Sequence, residues 1–291
     1  MRHKPGQSAA RPVLVAAIIP SRYDGCADRH SSRRRKEADL LTRTISDPPE
    51  PHLAPALTAT CTVVVPTYNE AENIGRLIPQ ILADPRFRVL VVDDGSPDGT
   101  GALVGALATA DPRVGLLSRS SKQGLGSAYI AGFRRALAEG AELICEMDAD
   151  FSHDPRYLPD LLAAVAADAD LVIGSRYVPG GGTTDWGLLR RLISRGGNIY
   201  AGTILGLPVA DATGGFRCYR RTVLEQLDLG KVRSNGYAFQ VEMAYKAHKA
   251  GFRIAEVPII FPDRRVGKSK MSRRIVIEAL VNVWRLRLGM I

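Results

Sequence analysis

Leu143 to Pro155 reads LICEMDADFSHDP. A short apolar run gives out at Asp148-Ala149-Asp150, with Ser152, His153 and Asp154 just beyond. Two carboxylates one residue apart, where an apolar strand ends, can share a divalent cation. A hard cation such as Mg²⁺ accepts carboxylate, water and phosphate oxygens together, so the chemistry on offer is the holding of a diphosphate. A second Asp-x-Asp, Asp168-Ala169-Asp170, precedes the apolar run Leu171-Val172-Ile173 and therefore stands at the entering end of a strand. Ligands of open α/β sheets bind outside the carboxyl ends of strands. The first copy is the candidate; the second is not.

Other residues could complete such a site. Asp93-Asp94 closes an apolar run and opens DDGSPDGT, where an acidic group could accept ribose hydroxyl protons. The same eight residues also make a good turn, and both readings stand. Arg176, Arg190 and Ser194 could converge on a second anion, because guanidinium forks suit phosphate oxygens. Arg191 and Arg195 read as a solvated helix face. Glu242 is expected to face the site, with a capping role as the alternative, and His153 reads as a residue of the loop or one supporting the site rather than a base. The basic loop DRRVGKSKMS, Asp263 to Ser272, holds Gly267 and two serines. Such a flexible loop could close Arg264, Lys268 and Lys270 over a bound diphosphate and exclude water.

The elements that must position these groups follow from periodicity. Cys61–Val65 reads as a buried strand. Asn69, with Glu72 three positions on, predicts a helix cap. Ile74, Leu77, Ile78, Ile81 and Leu82 then give the inward face of that helix. Strands over Val89–Val92, Val114–Leu117 and the run into Asp148 alternate with helices around Leu103–Leu107 and over Gly124–Ala138. Nearly continuous apolar strands alternating with helices mark an α/β fold with a mostly parallel sheet covered on both faces. Pro66-Thr67-Tyr68-Asn69-Glu70 occupies the first strand–helix junction, where a dinucleotide-binding fold would carry Gly-x-Gly-x-x-Gly. A nicotinamide oxidoreductase is thereby disfavoured.

Net charge is +9, and residues 264–291 hold eight Lys/Arg against one Glu, which favours an anionic partner. With 6% aromatic residues there is little for base stacking, so nucleic acid is not the expected partner. Cys26, Cys61, Cys145 and Cys218 show no CxxC spacing; neither a zinc site nor a disulfide framework is indicated, as in a reducing cytoplasm. Residues 1–57 lack sustained periodicity and read as a basic, disordered extension. Residues 58–272 form the catalytic unit. Residues 273–291 form an amphipathic helix whose polar stripe is Glu278, Asn282 and Arg285, its wide apolar surface packing on its own domain or meeting a bilayer interface or a partner. No run reaches the ~18–20 apolar residues that cross a bilayer.

As a set, VVVPTYNEAENI, VVDDGSPDGT, EMDADFSHDP, GSRYVPGG, ATGGFRCYRR, GYAFQVEM and FPDRRVGKSKMS resemble the polyprenol-phosphate mannosyltransferases in content and order. These are the dolichol-phosphate mannose synthase group of glycosyltransferase family 2. The likeness spans about residues 58–275, and Trp186–Ser194 with the basic loop points to the polyprenol-phosphate branch. It implies an A-type glycosyltransferase fold with a nucleotide-binding sheet and the Asp-x-Asp at its centre. By the resemblance, Pro66, Tyr68, Glu70, Val92 and Asp94 hold the guanosine part of a GDP-mannose donor. Asp148, Ala149 and Asp150 meet the donor's diphosphate with Mg²⁺ or Mn²⁺, and Arg264 and Lys270 grip that diphosphate. Arg176, Arg190 and Ser194 receive the phosphate of a polyprenyl monophosphate. Ser152 stands where some relatives place a Gln metal ligand; a hydroxyl is a poorer donor, which leaves open contact through a water.

The expected reaction is inverting, metal-dependent transfer of mannose to polyprenyl phosphate, giving polyprenyl-phosphate-mannose and GDP. An acceptor phosphate is already an anion at neutral pH, which explains the lack of an obvious Ser/His pair. The enzyme is expected peripherally at the cytoplasmic face of a membrane, held by its terminal helix, its basic ends or a separate anchoring protein. Rival readings are the same chemistry with UDP-glucose or another nucleotide sugar, a sugar nucleotidyltransferase, and a non-catalytic nucleotide-binding scaffold.

Overall fold

The computed structural model describes residues 60–232, 234, 236–263 and 273–290. The expected N-terminal extension lies outside the described residues, as do Arg264 and Lys270 of the basic loop. The chain begins with β1 (Cys61–Thr67), α1 (Ala71–Leu82), β2 (Phe87–Asp93), α2 (Thr100–Ala110), β3 (Val114–Ser118), α3 (Leu125–Ala138) and β4 (Leu143–Glu146). It continues through α4 (Leu158–Ala166), β5 (Leu171–Ser175), β6 (Gly182–Thr183), α5 (Leu188–Leu205), β7 (Arg217–Arg220) and α6 (Arg221–Gln226). The last elements are α7 (Tyr237–Lys249), β8 (Ile254–Pro258), β9 (Ile260–Phe261) and α8 (Arg273–Arg287).

Seven strands form one sheet in the order β3-β2-β1-β4-β7-β5-β8. All pair in parallel except β7, which runs against both neighbours, so the sheet is mostly parallel as expected. β6 and β9 form a separate two-stranded parallel ribbon. Side chains of a strand alternate between its faces, and β1 divides accordingly. Val63 and Val65 join the core under α1 and α4, whereas Val64 joins the core under α3 and α7. Burial on both faces is why the strands read as unbroken apolar runs rather than alternating ones. α3 lies unusually close to the sheet: a Cβ on Gly132 would stand 2.3 Å from Val64 Cγ1, so this approach needs glycine.

A third, smaller core joins α5, α7 and α8 through Ala201, Leu205, Val241, Tyr245, Val283 and Leu286. Of the polar stripe expected on the terminal helix, Asn282 is buried and Arg285 is exposed, while Leu280, Val281, Trp284 and Leu288 also face outward. Among the described residues no helix is long and apolar enough to cross a membrane.

The strand order places the site. β1 lies between β2 and β4, and the chain crosses one face of the sheet after β1 and the other before β4. Such a reversal opens a crevice at the carboxyl ends of the two central strands, where α/β proteins bind ligands. Pro66 to Glu70 and Asp148 to Asp150 both stand there.

Candidate active site

At that crevice lies a cleft of about 1730 Å³, open to solvent. Pro66 at the end of β1 and Tyr68 and Glu70 just after it line the cleft, with Asp94 just after β2 and Asp148, Ala149 and Asp150 just after β4. The carboxylates at its centre are held by separate hydroxyls. Tyr129 on α3 donates its phenol to Asp148 Oδ1 at 2.9 Å. The Ser152 backbone N–H and hydroxyl both donate to Asp150 Oδ1, at 3.1 and 2.5 Å. Ser152 is itself buried, so its hydroxyl orients Asp150 instead of offering itself to the cleft. His153 is buried too: its Nδ1 accepts the Asp148 backbone N–H at 2.9 Å, and its ring stacks on Phe216. That contact fixes the turn carrying the two aspartates and agrees with a loop role.

Beneath the aspartates, Glu146 accepts from Tyr219 at 2.7 Å and Gln240 at 2.6 Å. Burial pushes its carboxyl up to about 7, outweighing the lowering by Arg217 and these hydrogen bonds. Arg217 in turn donates to the carbonyls of Ala212, Gly214 and Gln240. The turn Thr213-Gly214-Gly215 becomes a cleft wall through these bonds.

The helix cap expected at Asn69 is corrected. Asn69 has a φ of 61°, and α1 begins at Ala71. Its first N–H groups are met from the turn after β2: Ala71 donates to Asp98 Oδ2 and Glu70 to Thr100 Oγ1, each at 3.0 Å. Asp93 is spent on the same turn, accepting from Thr67 and from the Ser96 amide and hydroxyl. The turn reading therefore holds for Asp93, while Asp94 reaches the cleft with both oxygens gripped by Arg119, at 2.6 and 3.0 Å.

The remaining expected residues divide. Val92 is fully buried in the core under α3, off the cleft wall, so its side chain cannot touch a ligand there. Glu242 also leaves the site; it is buried, accepting from the Ser234 amide and Lys246. Arg176 lines the cleft, yet its guanidinium is forked onto Asp211 at 2.7 and 2.6 Å. Burial would raise the Asp211 carboxyl, but the adjacent Arg176 outweighs it and holds the group below the usual carboxylate range. Arg190 stands over the Trp186 ring at 3.9 Å and pairs with Asp263 at 2.5 Å. Ser194 shares a 2.7 Å hydrogen bond with Tyr177 and lines a different space.

That space is an apolar groove, open to solvent, between α5, α7 and α8. It shares Arg176, Trp186, Arg190, Thr213 and Tyr237 with the polar cleft, so the two run into each other at a pair of guanidinium groups. Two buried polar atoms lacking a protein partner, Trp186 Nε1 and Gln240 Oε1, belong to side chains that line the cleft. Sequence reasoning missed Tyr129, Arg119, Gln240 and the Lys122 ammonium, which sits 4.1 Å from the Tyr68 ring centre. Only long-range contacts bring these residues to the site, so no local pattern marked them. The second Asp-x-Asp is structural as expected, with Asp168 and Asp170 paired to Arg253 at the far end of β5.

The chain is 50% identical over 229 residues to polyprenol monophosphomannose synthase of Mycolicibacterium smegmatis, covering 77% of this chain and 86% of that one. It is 50% identical over 223 residues to undecaprenyl-phosphate mannosyltransferase of Micrococcus luteus, covering 76% and 91%. The fold is similar to Mycobacterium tuberculosis glucosyl-3-phosphoglycerate synthase, solved with Mn²⁺, UDP and glucosyl-3-phosphoglycerate. That match has a TM-score of 0.57 at 20% identity and covers 79% of this chain and 80% of the other. A mannosyltransferase from Pyrobaculum calidifontis in complex with GDP-Man and Mn²⁺ gives a TM-score of 0.54 at 20% identity, over 79% and 64% of the two chains. The model of the family described as Glycosyl transferase family 2 matches residues 62–228, and the chain belongs to that family.

Proposed function

We propose that the protein transfers mannose from GDP-mannose to a polyprenyl monophosphate, with inversion at the anomeric carbon. One observation carries this reading: a polar, carboxylate-centred cleft and an apolar groove meet at Arg176 and Arg190. An acceptor with a phosphate head and a hydrocarbon tail fits that junction, its head beside the guanidinium groups and its tail between α5 and α8. Relatives at 50% identity named for polyprenol and undecaprenyl phosphate support the acceptor class. GDP-mannose as donor is the finer part of the reading, supported by the GDP-Man complex of a fold relative.

Asp148 and Asp150 fit a hard divalent cation, Mg²⁺ or Mn²⁺: both are partly exposed carboxylates on the cleft, each oriented by a hydroxyl. Such an ion, when bound, neutralises charge on the departing diphosphate. The chain's own residues do the rest. A phosphate oxygen of the acceptor attacks the anomeric carbon, and the bond from that carbon to the diphosphate oxygen breaks. Its electron pair leaves with GDP. No side chain has to remove a proton, so the work is electrostatic, and Lys122, Arg176 and Arg190 present cationic groups along the cleft. A lipid acceptor requires action at a membrane surface, at the cytoplasmic face where nucleotide sugars are available.

The test is incorporation of labelled sugar into polyprenyl phosphate in detergent, with GDP-mannose and UDP-glucose in parallel. Mannolipid from GDP-mannose, lost on chelation, is expected. Glucolipid would replace the donor assignment and keep the chemistry.

A further inference from the structure

The four cysteines show no metal-binding spacing in sequence, yet the sheet assembles three of them. Cys61 opens β1, Cys145 lies within β4, and Cys218 lies within β7. Cys145 and Cys218 are register partners, and Val63, two residues after Cys61, is the partner of Cys145. Consequently all three thiols project from the same face of adjacent strands into the core under α1 and α4. Their sulfur atoms lie within 4.8 Å of one another, Cys61 and Cys145 at 3.4 Å, and each residue is fully buried.

We infer that Cys61, Cys145 and Cys218 form a three-coordinate thiol site for a soft monovalent cation of the Cu⁺ type. A planar three-coordinate ion with metal–sulfur bonds of about 2.3 Å holds its sulfurs about 4.0 Å apart, within the span these atoms already occupy. Soft sulfur donors select ions of this kind over the hard cations suited to Asp148 and Asp150. Coordination number follows from the donor set. No fourth His, Cys, Asp or Glu ligand joins the group among the described residues, so the closed four-ligand zinc arrangement is not available.

Cysteine binds metal as the thiolate, so loading the site releases thiol protons to solvent.

The full chain carrying Cys26→Ala, so that only these three thiols remain, should be titrated anaerobically with Cu⁺ against a competing Cu⁺ chelator. A second sample should be refolded from denaturant with Cu⁺ present, so that slow entry to the core does not decide the result. One Cu⁺ per chain, a near-ultraviolet sulfur-to-copper band and a raised melting temperature are expected. Cys61→Ala, folded by circular dichroism, should lose the bound ion. X-ray absorption on the loaded chain should find three sulfurs per copper, a readout needing no further variant. No ion retained after refolding, fewer than three sulfurs around it, or undiminished binding in folded Cys61→Ala would overturn the assignment and leave the cluster as core packing.

Discussion

Asp148 and Asp150 owe their orientation to two different hydroxyls, and that division is testable residue by residue. Removing the Tyr129 phenol in Tyr129→Phe, or the hydroxyl in Ser152→Ala, should weaken divalent-cation binding by about 10–100-fold, the usual cost of losing a ligand's supporting hydrogen bond. Mn²⁺ titration followed by electron paramagnetic resonance would check this, with circular dichroism unchanged. Unaltered Mn²⁺ affinity in both variants would count against the metal assignment. The Arg176–Asp211 pair gives a prediction in stability. Asp211→Asn leaves a buried guanidinium without its counter-charge and should cost about 3–5 kcal/mol in denaturant unfolding at neutral pH. Because Asp211 is held below its ordinary range in the fold, its contribution is present above about pH 3.9 and fades as pH falls through the depressed folded value. The variant's stability should therefore fall less steeply than the parent's below pH ~4. The aspartates were legible in sequence because a carboxylate pair at the end of an apolar run is a local pattern. The Arg176 fork on Asp211 was not, since its partner lies 35 residues away.

At the scale of elements, the inward face of α1 was readable from its period. Ile74, Leu77, Ile78 and Ile81 are all buried. What starts the helix was not readable, because the cap comes from a turn 27 residues on rather than from the preceding residues. That turn serves two ends at once: Asp98 and Thr100 hold α1, while Asp94 reaches the cleft. Asp98→Ala should cost about 1 kcal/mol, as the loss of a helix cap does, measured as a shift of the urea midpoint with unchanged slope. No shift would mean that water replaces the carboxylate without penalty. The parallel sheet was legible for a similar reason to α1: β strands buried on both faces are written as continuous apolar runs. The antiparallel β7 was hidden, because nothing local in Arg217-Cys218-Tyr219-Arg220 encodes strand direction.

At the scale of the whole molecule, α5 and α8 present an exposed apolar face among the described residues. α5 exposes Leu188, Leu189 and Leu192 at 77%, 71% and 70%, and α8 beside it exposes Val281 and Trp284. Arg191, Arg195, Arg285 and Arg287 lie on the same two helices. Apolar side chains interleaved with arginines suit the interface of an anionic bilayer, and the apolar groove runs between these helices. The outward leucines of α5 were passed over in favour of its arginines, since periodicity alone does not say which face meets the core. Replacing Leu188, Leu189 and Leu192 together by Glu should reduce sedimentation with anionic vesicles at least 10-fold, while donor binding stays intact; equal sedimentation would remove this face from membrane contact.

The most direct test of the central claim follows the fate of GDP-mannose in one reaction with polyprenyl phosphate and Mg²⁺, comparing the parent chain with Asp150→Ala. The account predicts equimolar GDP and mannolipid from the parent, none after chelation, and a loss of about 100-fold or more in a folded Asp150→Ala. Full activity in Asp150→Ala would contradict it, as would pyrophosphate-dependent conversion of GDP-mannose to GTP and mannose 1-phosphate in place of transfer.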